Sequence, residues 1–378
     1  MRVFLFGIGE CGNRMVNEFF AAYLRKGVYK ARRKYVVPFL IDTDETDLTA
    51  KGLIPERHRM LVGRTTSGGH GLGGNRELGC QIATTESITV SERIRSLGAD
   101  RVEALFLMAG LGGGTGSGMI PVIASKFKEM FLGTPIIAIA ALPARSEGDL
   151  ALFNAAQSLV AMISSMDSIL IIDNEKFLKY GTNMHESYRI ANDRLARTVR
   201  LLAEASEGSQ AGVKILDAAD VLNTICGSSR MAAMLTEDSI QIETKPVAPR
   251  RAELATIGYA YEALPTWPIT GKRRSTDPIW RAQRILALTK AASTDCLVDI
   301  APENSKRSLV LVVGPQDEID AEGFMAAQDW LDKIAPGVEV RAGDYPVKNK
   351  MLEILVAFGG ISEIPRITEI LGKEYGNT

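Results

Sequence analysis

The chain has 378 residues, 46% of them hydrophobic, which is enough for two domains at about 100 to 200 residues each. Its 44 basic residues nearly balance 45 acidic residues, so the formal net charge of -1 gives no argument for nucleic acid or an anionic membrane as a partner. The 4 cysteines form no CxxC pair and there are 3 histidines, so neither a disulfide framework nor a zinc site is indicated. This composition favours a reducing, cytoplasmic setting.

The N-terminal apolar run predicts a strand rather than a membrane segment. "MRVFLFGIG" carries a single basic residue and is broken by Gly7 and Gly9. It is therefore too short for the apolar core of a signal peptide and far short of the roughly 20 apolar residues of a membrane span. We expect no transmembrane segment.

Short apolar runs bounded by glycines or acidic turns recur along the first half of the chain, with helical patterns between them. The predicted strands are Val3 to Phe6, Val36 to Ile41, Ala104 to Ala109, Pro135 to Leu142 and Ile169 to Ile172. The predicted helices are Asn13 to Leu24, Ser87 to Leu97, Met119 to Phe131, Leu150 to Ser164 and His185 to Ala205. This alternation predicts a doubly wound α/β domain, in which helices cover both faces of a parallel sheet.

The pattern changes after Gly212, where strands and helices no longer alternate regularly. The predicted strands there are Ala255 to Tyr261, Leu309 to Val313, Val338 to Gly343 and Leu352 to Phe358, and the predicted helices are Pro278 to Ala291 and Ala321 to Ile334. We predict an α/β domain over 1–184, a long central helix over 185–206 and a smaller α+β domain over 207–378.

The segment "AGLGGGTGSGMIP", from Ala109 to Pro121, follows a predicted strand and precedes a predicted helix. Ligands of open α/β sheets bind at the carboxyl ends of the strands, where helix N-termini offer free N–H groups to anions. Glycines let successive N–H groups curl around phosphate oxygens without Cβ clashes, and the hydroxyls of Thr115 and Ser117 can donate to the same oxygens. A tight turn alone needs only one or two glycines, so we favour a phosphate loop.

Two further glycine clusters precede this loop in the chain. "GIGECGN", from Gly7 to Asn13, matches the dinucleotide pattern G-x-G-x-x-G, while "GGHGLGGNRELG", from Gly68 to Gly79, precedes no clear strand. Three such loops suit a triphosphate wrapped by backbone on several sides. A P-loop is excluded because the pattern G-x-x-x-x-G-K-[ST] does not occur, so backbone N–H groups and a metal ion must meet the phosphate charge.

At these residues the sequence resembles the tubulin/FtsZ superfamily of GTPases, and most closely the archaeal tubulin-like CetZ family. "GGGTGSG" at Gly112 to Gly118 is similar to the signature loop of that superfamily, "GECGN" to tubulin's first phosphate loop and "GLGGNRELG" to FtsZ's loop near the γ-phosphate. "ALPARSEG", "IIDNEKF" and "DAADV" resemble, in turn, FtsZ's ribose loop, a tubulin segment and the catalytic loop. The C-terminal half matches more loosely, by the order of its strands and helices.

The resemblance implies that GTP or GDP binds together with Mg²⁺. The implied contacts in the three glycine loops are Gly9, Glu10, Cys11, Gly12 and Asn13; Gly71, Leu72, Gly73, Gly74 and Asn75; and Gly112, Gly113, Gly114, Thr115, Gly116 and Ser117. The metal ligands are not identified by any pattern. Asp42 and Asp44, after the second strand, could lie near the phosphates or Mg²⁺, or could bind a ribose in a dinucleotide enzyme.

Four polar residues are candidates for the base and sugar contacts. Tyr188 and Asn192 lie one turn apart on an otherwise apolar helical stripe, where a buried amide without a partner would cost about 1 to 3 kcal/mol. Asn192 could bond to a loop, Asn174 could cap a helix and Glu147 could simply be solvated. The resemblance implies instead that Tyr188 stacks on guanine, that both asparagines bind its edge and that Glu147 binds the ribose.

Asp217 and Asp220 are the candidate catalytic residues, although acids at this spacing also cap helices. A helix of about 20 residues is about 30 Å long, so acids at the far end of the central helix cannot reach the nucleotide of their own chain. The resemblance implies that a second subunit supplies them. Two departures from FtsZ, Ile215 in place of Asn before the acids and Ala151 in place of Arg after Glu147, leave the hydrolysis rate and the sugar contacts open.

The implied function is a cytoskeletal GTPase that assembles head to tail with itself and acts in cell-shape control. Adaptors that recognise FtsZ's C-terminal peptide are not expected, because the chain ends at "GKEYGNT". An NAD-dependent oxidoreductase is the first alternative, but Asp42 lies 30 residues beyond Gly12, where that fold expects an acid after about 20. A scaffold that binds nucleotide without hydrolysing it is the second alternative.

Overall fold

The computed structural model describes residues 1–25, 36–50, 52–178, 183–205, 214, 216–227, 251–264 and 277–375. Within these ranges, ten strands form one mixed sheet. The strands are β1 Val3–Ile8, β2 Val36–Asp42, β3 Arg59–Leu61, β4 Ala104–Gly110, β5 Ile136–Leu142, β6 Ser168–Asp173, β7 Glu253–Ala263, β8 Arg307–Gly314, β9 Glu339–Pro346 and β10 Met351–Ile361.

The strand order is β3-β2-β1-β4-β5-β6-β7-β10-β8-β9. Strands β1 to β7 pair in parallel, whereas β10 runs antiparallel to both β7 and β8. β6 and β7 are joined by three residue pairs, Ser168 with Glu253, Ile169 with Leu254 and Leu170 with Ala255. The doubly wound parallel sheet is confirmed, and the C-terminal strands extend it across the predicted border at 206 and 207; the domain bounds themselves stay a prediction.

Helices cover both faces of this sheet. They are α1 Gly9–Arg25, α2 Glu45–Thr49, α3 Arg64–Ser67, α4 Arg76–Ser96, α5 Gly114–Met130, α6 Asp149–Ser165, α7 Asn174–Phe177, α8 Met184–Ala205, α9 Ala218–Cys226, α10 Pro278–Thr294, α11 Ala321–Ile334 and α12 Pro365–Tyr375. Alternate residues of β1 belong to different cores: Phe4 and Phe6 pack with α4, α5 and α6, whereas Val3 and Leu5 pack with α1, α8 and α9. This period of two explains the continuous apolar run of the strand.

The helices that follow the glycine-rich segments begin earlier than predicted. α1 starts at Gly9 rather than Asn13, α4 at Arg76 rather than Ser87, and α5 at Gly114 rather than Met119. Glycine has low helix propensity, so its presence conceals a helix start from the sequence pattern. The consequence is that glycines form or flank the first turns of these helices, whose N–H groups have no partner within the helix.

Ile215, which departs from the FtsZ pattern beside the candidate catalytic acids, lies outside the described residues. Within the described ranges, no helix is both long enough and apolar enough to cross a membrane.

Candidate functional site

A cavity of about 350 Å³ opens at the carboxyl ends of β1, β2, β4, β5 and β6. Its volume lies within the range of about 300 to 1,000 Å³ that small-molecule sites occupy. The predicted site residues that line it are Gly9, Glu10, Cys11, Gly71, Leu72, Gly73, Gly112, Gly113, Gly114, Thr115, Gly116, Glu147, Asn174, Tyr188 and Asn192. Residues from three separate glycine segments and from the central helix α8 are thus brought to one place.

The other five predicted contacts do not line the cavity. Gly12 lets α1 approach β4, because a Cβ there would lie 1.9 Å from the carbonyl oxygen of Met108. A Cβ on Gly74 would lie 3.2 Å from Cδ2 of Leu150, and Asn75 caps α4 by accepting from the N–H of Leu78. Asn13 and Ser117 are fully buried within the protein.

The loop from Gly112 to Ser117 forms the N-terminus of α5. Gly113 is the N-cap, with φ of -82° and ψ of 173°, and a Cβ added to it would meet no protein atom within 4 Å. The next residue differs, because a Cβ on Gly114 would lie 2.8 Å from the backbone nitrogen of Asn75. Gly113 therefore faces open space in the cavity, whereas Gly114 is required for contact between two loops.

Hydroxyl and amide groups fix this loop from behind. Oγ1 of Thr115 lies 2.7 Å from Oγ1 of Thr43, and the hydroxyl of Ser117 donates to the carbonyl of Gly113. Nδ2 of Asn154 donates to the carbonyls of Gly74 (2.9 Å) and Gly112 (3.0 Å) and so joins two glycine segments. The sequence analysis missed Asn154, although a polar residue on the apolar face of α6 was an available signal.

The N-terminus of α1 supplies a second edge of the cavity. Gly9 has a φ of +70°, which glycine adopts without strain, and a Cβ there would lie 3.1 Å from the nitrogen of Gly116. Burial raises the pKa of the Cys11 thiol to about 12. The Cys11 thiol is therefore neutral at physiological pH.

Acidic residues dominate the charge of the cavity. Among the described residues that line it, the ionisable acids are Glu10, Asp42, Asp44, Asp47 and Glu147, against one arginine, Arg14, which pairs with Glu10. Burial raises the pKa of Asp42 to about 6, although hydrogen bonds from backbone N–H groups and Asn13 oppose the rise. An anion in this cavity must therefore be bound by backbone N–H groups and by a cation that enters with it.

Asn13 holds the end of β2 beside this acidic group. Its Nδ2 donates to the carbonyl of Ile41 at 3.0 Å and to Oδ2 of Asp42 at 2.8 Å. We expect Asn13→Ala to lower the free energy of unfolding by about 1 to 3 kcal/mol, because two buried acceptors lose their donor. Urea denaturation at pH 7 without ligand would measure this. Asn13→Asp should be worse, since it places a second carboxylate beside Asp42; a loss below about 0.5 kcal/mol for both variants would contradict the assignment.

Glu147, Tyr188, Asn174 and Asn192 line the opposite part of the cavity. Oε1 of Glu147 accepts from the Tyr188 hydroxyl at 2.8 Å and from the N–H of Ala144 at 2.7 Å. Burial and the neighbouring Glu147 raise the pKa of Tyr188, which is therefore a hydrogen-bond donor at neutral pH. Asn174 is not the cap of α7, because Asp173 is the N-cap and accepts from the N–H of Glu175. The side chain of Asn174 is thus available to a ligand.

Asp217 and Asp220 lie away from this cavity, at the start of α9. Asp217 is the N-cap, and the two residues form a reciprocal capping box. Oδ1 of Asp220 also lies 3.5 Å from Nε of Arg341 on β9. The helix-capping interpretation is confirmed, and the capping role does not exclude a second role for the same carboxylates. Their catalytic role stays a prediction.

A parallel sheet with three glycine segments at its carboxyl edge, closed by a long central helix, defines a nucleotide-binding protein of the tubulin/FtsZ type. The model for the Tubulin/FtsZ family, GTPase domain, matches residues 2–182, and that for the Tubulin-like CetZ, C-terminal domain, matches residues 181–374. The chain therefore belongs to the CetZ family of tubulin-like cytoskeletal GTPases, as the sequence resemblance predicted.

Relatives and solved structures agree with this assignment. Tubulin-like protein CetZ3 of Haloferax volcanii is 29% identical over 98% of this chain and 90% of its own length. The structure of CetZ2 from the same organism, described as a GTPγS-bound protofilament, has a TM-score of 0.81 at 25% identity and is covered completely, as is this chain. CetZ1, described as a GDP-bound monomer, has a TM-score of 0.80 at 24% identity, with 98% of each chain covered, and supports the fold.

Proposed function

We propose that this protein binds GTP in the cavity at the carboxyl edge of its sheet, assembles head to tail into filaments and hydrolyses GTP where subunits meet. The observation that carries the proposal is the convergence of three glycine segments and the central helix on one cavity. Family membership supports it, as does the description of CetZ2 as a GTPγS-bound protofilament. Sedimentation of the purified protein with GTP, with GDP and without nucleotide tests the assembly step.

The phosphates lie, in this proposal, against the N-termini of α1 and α5. Gly9, Glu10 and Cys11 begin α1, and the loop from Gly112 to Gly116 leads into α5, so backbone N–H groups and two helix dipoles face the same space. This arrangement is supported by the five predicted residues that do not line the cavity themselves: Gly12, Asn13, Gly74, Asn75 and Ser117. The open space beside Gly113 is where a phosphate oxygen fits without steric conflict.

Mg²⁺ fits the cavity as a companion of the phosphates. No group of three or more potential ligand side chains forms a cation cage within the described part of the chain. Mg²⁺ commonly binds through one or two carboxylates, water and substrate phosphates. Asp42 and Asp44 are the cavity carboxylates on either side of Thr43, whose hydroxyl lies 2.7 Å from that of Thr115. When bound, the ion neutralises phosphate charge, which the excess of acids in the cavity makes necessary.

The base and the sugar occupy the part of the cavity next to α8. Tyr188 offers an aromatic face for the base, Asn174 and Asn192 offer amides that suit the guanine edge, and Glu147 accepts from a ribose hydroxyl. Because Glu147 already accepts from Tyr188 and Ala144, its position is fixed before the ligand arrives. Such preorganisation reduces the entropy lost on binding.

We expect the protein to bind GTP well and ATP weakly. Asn192→Ala should weaken GTP binding about tenfold or more, because one amide-to-base hydrogen bond is worth roughly 1 to 3 kcal/mol. The matched control is Asp193→Ala on the same helix, because Asp193 pairs with Arg197 and does not line the cavity. Calorimetric titration with GTP, ATP and NAD measures this. Equal affinity for GTP and ATP would contradict guanine recognition, and binding of NAD without GTP would favour an oxidoreductase.

Hydrolysis requires a second subunit in this proposal. α8 has 22 residues, so it is about 33 Å long, and the cavity residues Tyr188 and Asn192 lie in its first half. Asp217 and Asp220 follow the other end of that helix. They can approach a nucleotide only as part of a neighbouring subunit stacked end to end, a contact that does not close and so produces a filament.

A nucleotide-binding scaffold that does not hydrolyse GTP is a second candidate, because the capping box already accounts for both acids. Single-turnover release of phosphate from bound GTP separates the two functions. For the cellular role we propose cell-shape control, on the basis of the CetZ assignment. Unchanged cell outlines in a deletion strain across growth phases would contradict that role.

A further inference from the structure

Helix α12 contacts two loops of the cavity through charged side chains. Its Arg366 donates through Nη2 to the carbonyl of Pro143 at 2.9 Å, and Nε lies 3.5 Å from Oδ1 of Asp173. Its Glu369 accepts two hydrogen bonds from Arg145, from Nε at 2.8 Å and Nη2 at 2.7 Å, and also pairs with Nη1 of Arg366 at 2.9 Å. These contacts join α12 to the segments that follow β5 and β6.

The same network continues between the two loops. The backbone N–H of Arg145 donates to Oε2 of Glu175 at 2.8 Å, and Nη1 of Arg145 lies 3.3 Å from Oε1 of Glu175. We call Arg145, Asp173, Glu175, Arg366 and Glu369 the α12 network. Its members alternate in charge, so each carboxylate lies beside at least one guanidinium.

Burial makes the central part of the α12 network costly to break. The side chain of Arg366 is 5% exposed and that of Asp173 is 11% exposed, and removing one partner of such a pair leaves the other charge uncompensated. Hydrogen bonds from Arg145 hold the pKa of Glu369 at about 2, so this carboxylate is ionised at every physiological pH. Because two hydrogen bonds join Arg145 to Glu369, this contact fixes the relative orientation of the two side chains as well as the distance between them.

Each loop in the network carries residues that line the cavity. Pro143 lines it directly; Glu147 is tied through its own Oε1 to the N–H of Ala144; and Asn174 lies between the network members Asp173 and Glu175. None of the five network residues lines the cavity itself. Their contacts with these loops therefore help to set where the cavity residues lie.

We infer that Arg366 and Glu369 are positioning residues, through which α12 holds the sugar-side and base-side loops in the geometry that binds nucleotide. The inference deepens the proposed function and rests on it for the identity of the ligand. Because coupling between two sites is reciprocal, displacement of α12 weakens nucleotide binding, and bound nucleotide strengthens the attachment of α12. The position of the C-terminal helix and the occupancy of the cavity thus change together.

The first test uses nucleotide-free protein and Glu369→Gln, which removes the charge and keeps the size of the side chain. Hydrogen exchange should become several-fold faster in residues 143–148 and 173–178, because Arg145, which belongs to the first loop and contacts Glu175 in the second, loses its charged partner on α12. The control is Lys373→Gln, which removes a charge from an exposed side chain of the same helix that is not a member of the network. If exchange in both loops is unchanged in Glu369→Gln, or rises equally in Lys373→Gln, the inference is wrong.

The second test measures binding of a fluorescent GDP analogue below the assembly concentration. Glu369→Gln should raise the Kd at least about fivefold, while Lys373→Gln changes it less than twofold at the same temperature. Glu369→Asp, which keeps the carboxylate that pairs with Arg145 and Arg366, should retain part of the affinity, which a merely destabilising change would not do. If loop exchange is faster in Glu369→Gln but the unmodified protein binds no guanine nucleotide, the proposed ligand is wrong and the positioning role is retained. If Glu369→Gln shows unchanged exchange and unchanged GDP binding, the positioning role is wrong and the ligand is retained.

Discussion

Gly113→Ala should raise the Kd for GTP at least about 100-fold, a loss of about 2.7 kcal/mol, while the melting temperature stays nearly unchanged. The backbone of Gly113 is extended, so alanine adopts it without strain, and the added methyl meets no protein atom within 4 Å. That methyl enters the space assigned to a phosphate. Calorimetric titration gives the affinity, and circular dichroism with a thermal melt reports on the fold.

Two further glycines serve as comparisons for this variant. Gly114→Ala should lose binding and stability together, because its Cβ would lie within 3.0 Å of three backbone atoms of Asn75. Gly372→Ala, in the interior of α12, also meets open space and should bind GTP normally, with stability equal or up to about 1 kcal/mol higher. Wild-type affinity in Gly113→Ala would place the phosphates elsewhere.

Asp220→Asn should bind GTP and assemble, yet hydrolyse GTP at least about tenfold more slowly, a loss of about 1.4 kcal/mol of transition-state stabilisation. Asparagine retains an acceptor for the N–H of Asp217, so the capping box survives and the defect reports on the charge. Asp220→Ala removes both functions and should be slower still or less stable. Arg341→Gln is the control, because it removes the partner of Asp220 and leaves both acids in place.

Turnover should also depend on assembly. Activity per molecule should rise above a threshold protein concentration, because only stacked subunits bring the acids of one to the nucleotide of the next. Mixing Asp220→Asn, with its intact cavity, and Gly113→Ala, with its intact acids, should restore part of the turnover that each lacks. Constant activity per molecule on dilution, or full activity in Asp220→Asn, would reduce the acids to their capping role and show that hydrolysis needs no second subunit.

The sequence pattern predicted the parallel sheet because its strands are buried on both faces, which gives continuous apolar runs such as Val3 to Phe6. The beginnings of the helices were harder to predict. The first turns of α1 and α5 contain glycines, and because glycine has low helix propensity, the sequence pattern there resembles that of a loop. These turns also offer N–H groups to a ligand. Glycine is therefore favoured at these positions by the binding site, although it is unfavourable for the helix.

Long-range polar contacts were beyond the reach of sequence reasoning. Arg145 and Glu369 are 224 positions apart in the sequence. Asn154 is 80 positions from its partner Gly74 and 42 positions from its partner Gly112. No periodicity connects such positions, since each contact depends on where the sheet brings two loops. Helix α12 was also not predicted, and with it the α12 network. The glycine loops were predictable because their chemistry is local.

The ten-stranded sheet joins its two halves by the three residue pairs between β6 and β7. β7 and β10, by contrast, are joined by ten residue pairs. The two hydrophobic cores, each with residues from both halves, and the charged contacts of α12 with the loops after β5 and β6 therefore provide a larger share of the connection between the halves than they would in a sheet paired along its full length.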